Sequence, residues 1–156
     1  MPIRKRPKPA DYFSDWKQRE ALAESMIPIV GRLSRERNVR VSVYGRSLVS
    51  QSVLEIMKTH RFVRQVEHNE LSEFDTFPMI ETLSRMELGT SDIDIGRLTV
   101  AWIGGPRDSG ESPEAFLARE LAPIIGGGSA PLARPRDVVL YGFGRIGRLM
   151  ARLLVE

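Results

Sequence analysis

Asp137-Val138-Val139-Leu140-Tyr141-Gly142-Phe143-Gly144-Arg145-Ile146-Gly147-Arg148 is the stretch on which the reading of this chain turns. Asp137 to Tyr141 is a continuous apolar run, as expected of a parallel strand buried on both faces. A Gly-x-Gly-x-x-Gly turn follows at once. Arg148 to Val155 then continues as a helix with Ile146, Leu149, Met150, Leu153 and Leu154 on one side.

Strand, glycine turn and helix in that order give the motif its meaning. Gly142 permits the tight turn out of the strand, Gly144 leaves the backbone bare for a pyrophosphate, and Gly147 lets helix and strand pack closely. The unbonded N–H groups at the helix start supply partial positive charge for the anion. Residues 137–156 are therefore expected to be the opening βα unit of a Rossmann domain, with Gly142, Phe143, Gly144, Arg145, Ile146 and Gly147 as its cofactor-binding turn. A complete Rossmann site also needs an acid about 20 residues further on, for the adenosine ribose. The sequence reaches only Glu156, inside the first helix, so the chain is expected to be a fragment of a longer polypeptide.

Working outward, residues 126–136 are rich in Gly, Pro and Arg and read as a linker. Residues 11–125 read as one helical domain. Trp16, Ala23, Met26, Ile27, Val30 and Leu33 predict a helix from about Asp15 to Arg37, capped by Ser14 and kinked at Pro28, with Arg19 on its water-facing side. Asn38 to Gly45 is β-branched and could be a strand, but without an obvious partner it reads better as a connector. A second helix is expected from Ser47 to Val66, with His60 on its apolar stripe as a packed core residue. A third is expected from Thr76 to Leu88, with Pro78 in its first turn and Gly89 just past its end. Ser91 and Asp94 have capping-box spacing and suggest a fourth helix to Ile103, although Leu98, Val100 and Trp102 alternate like a strand. Ser112-Pro113-Glu114 starts a fifth. The fold class is thus mainly α, a helical N-terminal domain followed by a truncated first βα unit of a Rossmann NAD-binding domain.

Composition narrows the function. Of 156 residues, 42% are hydrophobic and 28% charged, a globular balance. Cysteine is absent and histidine occurs twice, which removes disulfides, thiolate metal sites and a cysteine nucleophile from these residues; no metal site and no catalytic residue is expected. No apolar run is long enough for a bilayer, so no membrane partner is expected and the cytoplasm is the default. The net charge of +3 is more than matched by Arg4, Lys5, Arg6 and Lys8. Prolines keep residues 1–10 extended, so the segment reads as a disordered basic tail, and nucleic-acid binding ranks last among the functions considered.

Tyr141-Gly-Phe-Gly-Arg-Ile-Gly-Arg148 closely resembles the N-terminal signature of the glyceraldehyde-3-phosphate dehydrogenases, with Tyr141 where that family usually has asparagine. Glu20-Ala-Leu-Ala-Glu-Ser-Met-Ile-Pro-Ile-Val30, Val43-Tyr-Gly-Arg-Ser-Leu-Val49 and His60-Arg-Phe62 are similar to the N-terminal extension of long bacterial forms. The resemblance implies an NAD-dependent, phosphorylating oxidation of an aldehyde in glycolysis or gluconeogenesis, with NADP left open as cofactor. It implies that the backbone of Arg145 and Ile146 meets the NAD pyrophosphate. It implies further that the full-length protein binds NAD and a phosphorylated aldehyde and is a homo-oligomer. The family's catalytic cysteine and histidine lie further along, so the fragment is expected to be inactive by itself. The alternative is a helical protein-interaction or regulatory module.

Overall fold

The computed structural model describes residues 8–67, 70–126 and 139–155. The expected tail (apart from residues 8–10), residues 127–136 of the expected linker, and His68 lie outside them. The described chain is mainly helical with one small mixed sheet.

The first helix, α1 (Tyr12–Arg37), starts three residues earlier than the apolar pattern suggests, because Asp11 rather than Ser14 caps it: its carboxylate accepts from Phe13 N–H at 2.9 Å. It closes on Asn38 in the left-handed region at φ 53°, where the backbone N–H reaches the carbonyls of Leu33 and Ser34. Pro28 is tolerated inside this single element. It faces solvent, so the Glu24 carbonyl it leaves without an N–H partner is on the wet side.

Asn38 to Gly45 is a correction: the segment is not a connector. β1 (Val39–Val43) lies at the centre of a three-stranded sheet of order β2-β1-β3. It is antiparallel to β2 (Arg46–Ser47) and parallel to β3 (Ser91–Asp94), with Val41 opposite Ile93. Val39, Val41 and Val43 are fully buried on one face, while Arg40 between them is exposed, the period-two pattern of a sheet with one wet side. Tyr44 and Gly45, both at positive φ, make the two-residue turn whose twist matches that of a hairpin.

β3 corrects the expected fourth helix, which begins only after it. Asp94 ends the strand and caps α4 (Ile95–Ile103), accepting from Arg97 N–H at 3.1 Å and from the turn amides of Tyr44 and Gly45 at 3.0 Å each. One carboxylate thereby ties hairpin, strand and helix together. Gly96, in the first turn of α4, lies so close to β1 that an added Cβ would sit 2.8 Å from Val43 Cγ1 and 3.1 Å from Val43 Cα. Gly96→Ala is expected to destabilise the domain by about 1–3 kcal/mol, readable as a lowered urea midpoint with an unchanged m-value.

Two helices lie between β1 and β3 in the chain. α2 (Val53–Glu67) starts later than expected, because Ser47 belongs to β2 and Ser50 has φ 57°. α3 (Glu73–Arg85) starts earlier, at Ser72, so Pro78 sits in its second turn and Met86, not Gly89, follows its end. The capping box expected at Ser91 is here instead: Asp75 accepts from Ser72 N–H at 3.0 Å and from its hydroxyl at 2.8 Å. Ser112 caps α5 (Pro113–Glu120) as its sequence suggests, accepting from Ala115 N–H at 3.2 Å. A 3₁₀ turn (Ala122–Ile124) then leads to an antiparallel bridge of Ile125 with Leu88, and Gly126 N–H bonds the Glu87 carbonyl at 3.0 Å.

The core lies where α1 packs on α2, α3 and β1, and where α3 meets α4 and α5. Met26, Leu48, Ile56, Met79, Ile80, Leu83, Ile95, Phe116 and Leu117 are among its largest apolar members. Each contributes about 1.5–3 kcal/mol of burial. No buried side-chain polar atom among the described residues lacks a partner.

Candidate functional site

Gly142 sits at φ 97°, a conformation glycine adopts without strain. An added Cβ at Gly147 would run into the Gly142 carbonyl oxygen, whereas at Gly144 it would meet nothing within 4 Å. The first and last glycines are thus demanded by the chain's own path. The middle one leaves free space in front of the backbone.

The sixth helix, α6 (Arg145–Val155), opens directly from this turn. Its first intrahelical bond runs from Arg148 N–H to the Gly144 carbonyl at 3.0 Å, so the amides of Arg145, Ile146 and Gly147 stand at the helix start without helical acceptors. Such a helix start suits an anion. Phe143 and Ile146 are exposed, as are Leu149, Met150, Leu153 and Leu154 along one side of α6. A continuous apolar stripe of this size needs a covering surface.

The strand expected to feed the turn is not formed among the described residues. Asp137 and Val138 lie outside them, while Val139 to Tyr141 pair with no strand and Val139 is 87% exposed. A parallel strand exists only through its neighbours, and among the described residues none pairs with it.

The helical part holds a second polar constellation that the sequence reading missed. Glu73, at 0% exposure, accepts from Arg19 Nε at 2.6 Å and Nη2 at 3.2 Å. His60 lies against the same carboxylate, Nδ1 being 3.8 Å from Oε1. Arg19 is no water-facing residue: it continues the buried stripe Ala23, Met26, Val30 and Leu33 by one step of four, just as Glu73 heads the stripe of Thr76, Ile80 and Leu83. That continuation is the signal that could have placed the pair. Glu73 raises the Arg19 pKa by direct hydrogen bonding and by its charge, against the opposing effect of burial.

Thr76, His60 and Glu73 superficially resemble a hydroxyl–imidazole–carboxylate triad, but the bonding is different. His60 Nδ1–H donates to the Ile56 carbonyl at 2.8 Å rather than to Glu73, and Nε2 accepts from the Thr76 hydroxyl at 2.7 Å. Thr76 is fully buried, so its oxygen meets no substrate. His60 is a packed, doubly bonded core residue, as its place on the apolar stripe suggests.

Desolvation lowers the His60 pKa from its ordinary 6.5, more than Glu73, the Ile56 carbonyl and Asp75 raise it; Arg19 lowers it further. The unfolded chain therefore takes up a proton at a pH where the folded one does not, and stability falls as pH drops below about 6.5. Urea midpoints should decline between pH 7.5 and 5.5, and His60→Gln should flatten that part of the decline.

Residues 20–30, 43–49 and 60–62 also have physical roles. In Val43 to Val49, Val43 and Leu48 are buried, Tyr44-Gly45 is the turn, and the Arg46 guanidinium lies 3.5 Å over the Phe62 ring. His60-Arg-Phe62 supplies that ring and the buried imidazole. In Glu20 to Val30, Ala23, Met26 and Val30 are core. Among the described residues no three potential His, Cys, Asp or Glu ligands converge. The basic residues Arg37 and Arg40 serve the fold, bonding the Met86 carbonyl and facing Asp92 respectively.

The architecture is thus a mainly helical domain with one small mixed sheet, followed in the chain by a glycine turn and an amphipathic helix. The chain is 43% identical over 133 residues to a glyceraldehyde-3-phosphate dehydrogenase-like protein of Pseudomonas aeruginosa (strain UCBPP-PA14). The alignment takes in 84% of this chain but spans only 28% of that relative. No family model matches the chain.

Proposed function

We propose that this chain is the N-terminal part of an NAD-dependent, phosphorylating glyceraldehyde-3-phosphate dehydrogenase. Residues 11–125 form its extension domain, and the turn Gly142 to Gly147 opens its nucleotide-binding domain. The observation that carries this reading is the 43% identity over 133 residues to a glyceraldehyde-3-phosphate dehydrogenase-like protein. The local geometry supports it: a bare Gly144, free amides on Arg145, Ile146 and Gly147, and an apolar face on α6 that a sheet would cover.

On this reading the chain's share of the reaction is binding. The backbone N–H groups at the start of α6 hold the pyrophosphate, and Gly144 lets it approach them. Bound NAD supplies a hydride acceptor for aldehyde oxidation. These residues contain no cysteine, so the nucleophile that forms the thiohemiacetal belongs to sequence beyond Glu156. The 1–156 segment is accordingly inactive alone, and the complete protein is a cytoplasmic homo-oligomer. Among the described residues no helix is long and apolar enough to cross a membrane.

The test is an assay of the complete polypeptide. It is expected to reduce NAD when given glyceraldehyde 3-phosphate and inorganic phosphate together, and not when the aldehyde is omitted. Absence of NAD reduction with both present would refute the proposal.

A further inference from the structure

The Arg19–Glu73 pair is an expensive feature for a small core, because both ions must be taken out of water. Its geometry has a consequence on the outside. Glu73 holds the guanidinium by Nε and Nη2, leaving Nη1 without a hydrogen bond among the described residues, and the Arg19 side chain is 19% exposed. Arg19 lines a cleft of about 90 Å³ between α1, α2 and the segment leading into α3. Arg61 and Arg64, one helical turn apart on α2, line the same cleft. Arg61 has no ion pair among the described residues. Arg64 Nη2 lies 2.9 Å from Glu70 Oε1, which leaves its Nε and Nη1 free of that contact.

Among the described residues, three guanidinium groups around the cleft face one lining carboxylate, Glu70, and one of the three is fixed in place by a buried partner. Planar guanidinium forks suit the oxygens of phosphate, and a pre-oriented one loses little freedom on binding. The cleft is far below the roughly 300 Å³ that encloses a whole small molecule, so it takes one oxyanion group with the remainder of the ligand in solvent.

We propose that Arg19, Arg61 and Arg64 form a binding site for a phosphate group, free or as a small phosphate monoester, within the extension domain and separate from the glycine turn. Glu70 occupies part of the site and competes with the ligand for Arg64. The proposal stands on the helical domain alone and does not depend on the dehydrogenase reading.

Titration of residues 1–156 with inorganic phosphate and, separately, glycerol 3-phosphate tests it, at constant ionic strength made up with chloride. Arginine Nε–H resonances are the readout. Saturable shifts with a Kd on the order of 1–10 mM are expected for at least one of the two ligands. Which of the two saturates identifies the source of the group. Arg61→Gln and Arg64→Gln, both at exposed positions, should each weaken binding about 3- to 10-fold, and Glu70→Gln should strengthen it several-fold. Shifts that do not saturate for either ligand, or that persist undiminished in both arginine variants, would overturn the proposal.

Discussion

Arg19→Met is expected to lower the stability of this domain by about 3–5 kcal/mol, a large part of what a domain of this size has to lose. The methionine keeps most of the apolar stem. What disappears is, among the described residues, the one strong partner of a carboxylate at 0% exposure, since burial keeps His60, 3.8 Å away, neutral at physiological pH. Thermal unfolding should fall by about 10–20 °C. Arg19→Met with Glu73→Leu should recover most of the loss, because an apolar pair of similar volume spares both ions their dehydration. The single variant also carries a pH signature. Removing Arg19 takes away one of the influences that lower the His60 pKa and leaves Glu73, which raises it. A protonated His60 then partly replaces the arginine, so the deficit should be smaller at pH 5.5 than at 7.5. A loss below 1 kcal/mol at pH 7.5 would mean that Glu73 is not buried as described.

The second large effect concerns the turn. Gly144→Val in the complete polypeptide is expected to weaken NAD binding on the order of 100-fold while leaving the fold intact. The two halves of that statement have separate grounds. A Cβ at Gly144 meets no atom within 4 Å and the residue is not at positive φ, so the chain itself tolerates a side chain there. The space the valine fills is the space in which a diphosphate reaches the backbone amides. Gly147 offers the necessary contrast. A Cβ there collides with the Gly142 carbonyl, so Gly147→Ala distorts the turn and reports on folding instead of ligand approach. Equal NAD affinity in wild type and Gly144→Val, with both proteins folded, would remove this turn from the cofactor site.

What could be read in advance divides along physical lines. Helices announced themselves wherever their apolar residues recurred within a few turns: α1, α2, α3 and α5 were all visible, with ends displaced by the caps Asp11 and Ser72. The sheet was hidden because its central pairing joins Val39–Ser42 to Ser91–Asp94, about fifty residues apart, and a five-residue strand without a nearby partner resembles a connector. β3 was masked further because its last residue, Asp94, also caps a helix. Gly142 has a positive φ and Gly147 a steric limit set by the Gly142 carbonyl, whereas the strand expected at Val139 to Tyr141 from composition pairs with no strand among the described residues. The Arg19–Glu73 pair is hard to read from sequence because a charged side chain ordinarily marks a wet face, although both residues continue buried stripes.

Calorimetric titration of NAD into residues 1–156 and into the complete polypeptide, side by side, tests the central claim most directly. One glycine turn and one helix grip a pyrophosphate from a single side and leave the nucleosides unheld. The short chain should therefore give no saturable heat up to about millimolar NAD, and the complete polypeptide should bind at about micromolar concentration. Micromolar binding by residues 1–156, or none by the complete polypeptide, would contradict the account.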